Sequence, residues 1–399
     1  MSGAGEGQGS VTVASKLAGY MRGGGVWVPI VTALVAFFAG GIVIALSGAD
    51  PLSTYKAIFD GTGLNWFFPW VTGDDRVIAA GNLQQTLLLT TPLILVGLAV
   101  ALAFRAGMFN IGGQGQYIAG SVAAVWVGAG LDGVPGFLHI VLAVIAAAVA
   151  GALWGGIAGA LKATTGANEV ITTIMLNWIA TWVGIWLFGL GGPLHDAAQE
   201  SVPVSEPIAR AARLPVFWGE QELQGLHVGL FLALVVAALA WVLVNRSVAG
   251  YELRAVGLNP DAAEYAGIPV GGTQVKVMLL CGLCAGLAGA MDILGWQYQI
   301  VTNDIQASQI GFLGIAVALL GRNTMGGTVV AALLFGALIN GTSVRNLDPA
   351  VFEPQLATNL TIIIQGLIVL FVSAPVLVTG AWALRRRLRL PGRRREDVA

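Results

Sequence analysis

The chain has 399 residues, 56% hydrophobic and only 10% charged, against roughly 25% charged in an ordinary soluble protein. A net charge of −1 carries no nucleic-acid signature. Several apolar runs of about 18 to 23 residues can each cross a hydrocarbon core of about 30 Å, which excludes a soluble globular domain. The expected fold class is an all-α polytopic membrane protein with about ten transmembrane helices, some of them candidates for half-length or re-entrant segments.

Residues 1–26 are Gly- and Ser-rich with Lys16 and Arg22, and read as a disordered cytoplasmic tail. The run Trp27 to Leu46 is too long for a signal-peptide core, so it reads as an uncleaved first span, although Ala45-Leu46-Ser47 loosely imitates a cleavage site. Residues 49–80 mix Asp50, Asp60, Asp74 and Asp75 with Trp66, Phe67, Phe68 and Trp70, a composition that suits the headgroup region. Further spans are expected at 82–103, 114–131, 137–161, 168–189, 226–245, 273–294, 308–321, 326–344 and 356–379. The transmembrane domain is thus 27–380, followed by a basic tail, 381–399. The span at 308–321 is short and separated from the next only by Arg322-Asn323-Thr324, while 114–131 follows a Gly-broken start. These two are the half-length or re-entrant candidates. The longest outer loop, 190–225, is rich in proline and acidic residues.

Charge fixes an expected orientation. With a cytoplasmic N-terminus, fifteen of the twenty Lys and Arg residues fall inside and five outside, so both termini are expected in the cytoplasm. The same count puts the polar island 246–272, RSVAGYELRAVGLNPDAAEYAGIPVGG, on the inner side. It reads as a small helix with a marked start and stop. Asn259 is an N-cap, Pro260 suits the first helical position and Asp261 the positive end of the dipole. Gly267 closes the helix and Pro269 prevents its resumption. Such a capped, exposed helix between spans is a docking element.

Small residues mark helix contacts. Gly151, Gly155 and Gly159 make two overlapping GxxxG steps, and Gly282 with Gly286 another; close packing within one bundle is the expected use, with dimerisation as the alternative. Cys281 and Cys284 form a CxxC pair inside an apolar run and read as small buried residues at a helix contact. His139, His195 and His227 are widely spaced, so no metal site is expected.

No catalytic constellation is found. There is no HExxH and no Ser/His/Asp arrangement at a plausible membrane face. A phosphate-binding P-loop needs a Gly-Lys pair, yet the four lysines follow Ser15, Tyr55, Leu161 and Val275. The chain is therefore expected not to be an enzyme and to bind no cofactor; if ATP is used, a separate subunit hydrolyses it. Polar residues within spans remain as candidates for a solute path. Glu169, Thr173, Asn177 and Thr181 recur at i, i+4 with Trp178, Trp182 and Trp186 on the other side. One face would line a polar path or bond to adjacent helices. FRAGMFNIGGQGQ, residues 104–116, is a second candidate: its glycines let backbone approach a ligand or a helix, and Asn110, Gln114 and Gln116 offer amides. A tight inter-span turn is the alternative there. Gln85, Thr86 and Thr90, and Thr358, Thr361 and Gln365, form two more polar faces. Asp292, near the outer end of its span, reads as interfacial rather than as a proton carrier.

FRAGMFNIGGQGQ, GANEVITTIMLNWIA (166–180), LRAVGLNPDAAEYAGIPV (253–270) and GFLGIAVALLGRNTMGG (311–327) occur in this order. Together they resemble the permease subunits of bacterial ABC importers in the branched-chain amino acid and simple-sugar permease superfamily, over about residues 80–380. The nucleoside-importing branch, which works with basic-membrane-lipoprotein-type binding proteins, is the nearest in motif. That branch usually carries an acidic residue where this chain has Gln114. The resemblance implies a multi-pass permease of the bacterial inner membrane, embedded in lipid and partnered by an ABC ATPase subunit, a second permease subunit and an extracytoplasmic substrate-binding lipoprotein. It assigns ATPase coupling to the 253–270 helix, through Arg254, Gly257, Asn259, Pro260, Ala262, Ala263 and Gly267. Path residues would then be Asn110, Gln114, Gln116, Glu169, Thr173, Asn177 and Gln365. Simple-sugar or branched-chain amino acid import is the alternative, and beyond it an ion-driven secondary transporter using Glu169 or Asp292.

Overall fold

The structure is a computed structural model that describes residues 27–46, 48, 50–131, 133–343 and a few positions between 359 and 367. Gln365, Thr358 and Thr361 lie outside the described residues, as do both tails and most of the span expected at 356–379.

The described chain is a helical bundle. In order, it contains α1 (Trp27–Leu46), α2 (Pro51–Thr62), α3 (Asp74–Arg105), α4 (Gly113–Gly130), α5 (Gly136–Thr165) and α6 (Glu169–Phe188). After a long loop come α7 (Gly229–Arg246), α8 (Val248–Leu258), α9 (Pro260–Tyr265), α10 (Val270–Asp292), α11 (Thr302–Ala307), α12 (Ile310–Leu320) and α13 (Met325–Gly341). Among the described residues the one sheet is in the long loop, where β1 (Val216–Trp218) pairs antiparallel with β2 (Leu226–His227). Six helical stretches among the described residues are long and apolar enough to cross a membrane: Asp74–Arg105, Gly136–Thr165, Glu169–Phe188, Gly229–Arg246, Val270–Gln297 and Thr302–Leu320. α4 falls outside that set because Gln114, Gln116, Tyr117 and Ser121 lower its hydropathy, yet all four are buried.

Two boundaries differ from the sequence expectation. The stretch expected as a mixed headgroup segment, 49–80, is largely helical. Asp50 accepts the Ser53 N–H at 2.8 Å and Pro51 follows it, so the α2 start is set by local chemistry. The Tyr55 hydroxyl donates to the Phe37 carbonyl and ties α2 to α1. Likewise, α3 begins eight residues before the expected 82, with Asp74 and Asp75 in its first turn.

α3 and α10 are the buried core of the bundle. From Leu93 to Ala103 every α3 residue is buried, packed by α13, α10 and α12. The widest helix pairing is α5 with α10. It is a seam of glycines: a Cβ at Gly151 would lie 2.3 Å from the Gly282 carbonyl oxygen, and one at Gly282 would lie 2.1 Å from that of Gly151. The GxxxG steps therefore serve contacts within one bundle. Cys281 and Cys284 are buried, unpaired thiols on α10.

The C-terminal end of α10 is built differently. The helix continues as a π turn, Ile293–Gln297, that ends at Tyr298 with φ +60°. The long loop runs alongside this break. The Leu214 N–H donates to the Leu294 carbonyl at 2.8 Å, Ile208 N–H to Tyr298 at 2.8 Å and Ser205 N–H to Ile300 at 2.9 Å. The Arg213 guanidinium lies 4.2 Å from the Tyr298 ring centroid. Beyond the break, α12 has 11 residues, about 16 Å of helix, which matches the short span expected there.

Candidate functional site

The break at 106–112 lets α4 start deep in the bundle. Asn110 and Gln116 exchange amide hydrogen bonds at 3.0 and 3.1 Å, and the Asn110 oxygen also accepts the Gly112 N–H at 3.0 Å. The Gln114 Oε1 accepts the Gly311 N–H at 2.9 Å, tying α4 to α12. A carboxylate at 114 could accept the same bond. The Asn177 Oδ1 accepts the Gly115 N–H at 2.8 Å while its Nδ2 donates to the Ile111 carbonyl at 2.9 Å. The amides at 110, 116 and 177 are thus engaged with backbone and with one another, whereas the Gln114 Nε2 is buried without a hydrogen-bond partner. Gly115 admits a neighbouring helix closely: a Cβ there would lie 2.9 Å from the Trp154 Nε1 and 3.0 Å from the Asn177 Oδ1.

α6 turns its two faces as the i, i+4 pattern predicts. Thr173 and Asn177 are buried, whereas Trp178, Trp182 and Trp186 are exposed as a stripe. Asn168 caps the helix by accepting the Val170 N–H at 2.9 Å. Glu169, in the first turn, is ion-paired with Lys162 at 2.6 Å and does not stand open in a path. The Thr173 hydroxyl donates to the Glu169 carbonyl at 2.6 Å. The α3 face at Thr86 and Thr90 is likewise structural: the Asn340 amide donates to the Thr86 hydroxyl at 3.1 Å and to the Gly61 carbonyl at 3.0 Å.

Two cavities flank α11. The outer one, about 410 Å³, is bounded by Tyr117 and Ser121 of α4, by Ile293, Trp296 and Gln297 of the π turn, and by Asp304 and Ser308. The second, about 380 Å³, lies between α4, α6 and α12 and is lined by Gln114, Asn177, Trp178, Thr181, Trp182 and Phe312. Ile305 and Ser308 line both. Both volumes suit a small solute. Asp292, near the end of α10, is 4% exposed, with the helix continuing past it as the π turn Ile293–Gln297. Its Oδ2 accepts the Tyr117 hydroxyl at 2.6 Å and its Oδ1 the Trp296 indole N–H at 3.0 Å. Sequence reading missed Tyr117, Trp296, Gln297 and Asp304. The signal available was the i, i+4 spacing of Asp292 and Trp296 on one helix face.

At the opposite end, the 246–272 island is two helices. α8, capped by Ser247 on the Gly250 N–H at 3.0 Å, was not expected. α9 starts as the sequence predicts, with the Asn259 Oδ1 accepting the Ala262 N–H at 3.0 Å. It ends with Gly267 at φ +81°, where Ile268 N–H donates to Ala263 and Gly267 N–H to Glu264, a Schellman closure. Asn259, Pro260, Ala262 and Gly267 are exposed, Arg254 is half-buried and Ala263 is buried. Leu258 and Tyr265 stand out at 88% and 94% exposure. Gly257 seats α8 on the end of α3: a Cβ there would lie 2.4 Å from the Arg105 carbonyl oxygen. The Arg105 Nε in turn donates to the Asn323 carbonyl at 2.8 Å in the α12–α13 turn.

Residues 82–373 match the family model described as the branched-chain amino acid transport system permease component. The chain belongs to this permease family. The permease is 38% identical over 356 residues to the guanosine ABC transporter permease of Bacillus subtilis, covering 87% of this chain and 92% of that one. It is 30% identical over 361 residues to a nucleoside ABC transporter permease of Lactococcus lactis, covering 88% and 92%. It is also 33% identical over 378 residues to a glucose ABC transporter permease of Haloferax volcanii, covering 93% and 92%.

Proposed function

We propose that this permease is the membrane subunit of an ATP-driven importer of nucleosides. It sits in the bacterial inner membrane with about ten spans and both termini in the cytoplasm. A separate ABC ATPase hydrolyses ATP, a second permease subunit completes the pore, and an extracytoplasmic lipoprotein delivers the solute. The observation that carries this reading is the α8–α9 island. Its capped helix exposes Leu258 and Tyr265, apolar side chains of the kind a partner covers. Backbone contact at Gly257 connects it to α3, and through Arg105 to the turn that ends α12, the helix whose other end, at Phe312, lines the second cavity. A push on α9 would thereby reach elements that bound the solute path. Nucleosides are favoured by the guanosine and nucleoside relatives; the glucose relative supports sugar as the second reading.

The test is reconstitution of the permease with its ATPase and binding protein in liposomes. ATP-dependent uptake of guanosine or adenosine is expected, and glucose or leucine should not compete. Joint replacement of Gly257, Asn259 and Ala263 should leave the protein in the membrane while ATP hydrolysis loses its link to uptake. Wild-type coupling in that triple variant would sink the coupling assignment. Uptake by this chain alone under a proton gradient would replace the ATP-driven reading with an ion-driven one.

A further inference from the structure

Asp292 has two hydrogen-bond donors and sits in the bundle among apolar neighbours, an expensive place for a carboxylate. Among the described residues the Lys162–Glu169 pair is the ion pair found, and it lies on other helices. The role of Asp292 must therefore be sought in what it holds. It holds two aromatic rings. The Tyr117 hydroxyl and the Trp296 indole N–H both point at this one carboxylate, and both side chains line the outer cavity. With their polar atoms spent on Asp292, the rings offer the cavity fixed π surface. The backbone around them is equally special. Trp296 lies in the π turn, a helix irregularity frequent at functional sites, and Tyr298 just after it has φ +60°, rare for a bulky residue.

We propose that the outer cavity is a binding site for a flat heteroaromatic solute, with Trp296 as its stacking face and Asp292 as the residue that positions that face. The proposal rests on the nucleoside reading, under which the solute is the base of a nucleoside in transit. Gln297, Asp304, Ser121 and Ser308 supply polar edges around the rings, suited to amide and hydroxyl groups. The lining contains Asp304 and no Lys or Arg, so the site disfavours a phosphorylated solute. Ile305 and Ser308, shared with the second cavity, put the exit of the site beside Asn177 and Gln114.

The experiment uses the complete importer in liposomes, with labelled guanosine and with ATP hydrolysis followed in parallel. Trp296→Leu should lower guanosine uptake per ATP about tenfold or more, the loss expected when a base loses its aromatic platform. Trp296→Phe should restore most of it, because a ring face remains. Asp292→Asn should keep the protein assembled but shift the ratio of guanosine to cytidine uptake, a readout that a merely structural role would leave alone. In the wild-type complex, a photoreactive azidopurine nucleoside should label the 293–308 segment, with unlabelled guanosine competing and guanosine monophosphate failing to compete. That labelling tests the site even if the Leu variant does not assemble. Wild-type uptake in both Trp296 variants, or labelling confined to other segments, overturns the site and leaves the nucleoside reading standing. Uptake of glucose with none of guanosine by the wild-type complex overturns the nucleoside reading, and the site with it.

Discussion

α10 is packed in two contrasting ways along its length. Against α5 it presents Gly282 and Gly286, and the two backbones meet with no side chain between them. At its C-terminal end it loosens into a π turn, borders a cavity and is held by loop backbone and by His227. The first arrangement has no slack, because interiors at this density transmit any added volume as strain. The second has open space beside it, so added volume there need not strain the bundle. Rigid frame and looser mouth thus occur on one helix, one packed backbone to backbone and the other bordering a cavity.

The contrast can be broken most sharply at the seam. Gly282→Leu drives a Cβ and more into the Gly151 carbonyl, so the cost should exceed the ~1–3 kcal/mol usual for overpacking. The expected result is loss of a monodisperse peak in fluorescence-detected size exclusion. A stable Gly282→Leu protein would show that the seam is not a rigid frame.

The C-terminal end should instead respond to pH. His227 is buried, its Nδ1 accepts the Gly229 N–H at 3.1 Å, and burial lowers its pKa to about 4 from an ordinary 6.5. The unfolded chain takes up this proton below about 6.5 while the folded one does not. Stability should therefore fall as pH drops from about 6.5 to about 4 and level off below. Two and a half pKa units correspond to roughly 3 kcal/mol. Thermal melts of the wild type and His227→Gln across that range measure it, and equal pH slopes would remove His227 as the cause.

The smallest effect is expected at the seat of α11. A Cβ at Gly184 would lie 3.0 Å from the Ile305 Cδ1, the far end of a flexible side chain. Gly184→Ala should cost under about 1 kcal/mol in a thermal melt, because Ile305 can shift into a flanking cavity. A loss as large as that of Gly282→Leu would erase the distinction between frame and mouth.

What the sequence made legible follows the range of the forces involved. Caps are local, so Asn259, Pro260 and Gly267 announced α9 correctly, as did the small-residue steps of the seam. The α6 pattern also held, since period alone decides which face carries tryptophan. The amides at 110, 114, 116 and 177 could be found but not interpreted. Whether an amide meets a solute or a neighbouring backbone depends on contacts between α4, α6 and α12, which lie as far as 197 positions apart. The burial of Asp292 was hidden for a related reason. Hydropathy ends the span near 294, whereas the π turn and the loop laid along it carry helical structure to Gln297. The aromatic lining of the outer cavity was hidden in apolar runs, where tryptophan and tyrosine look like ordinary membrane residues.

The contact between Gly257 and the end of α3 has a mechanical consequence. A joint made by side chains has rotamers, and rotamers absorb small displacements before passing them on. Here peptide meets peptide, so no side chain stands between the two backbones to give way. A methyl group placed at 257 would act as a shim, and α8 or the end of α3 would have to move aside to admit it.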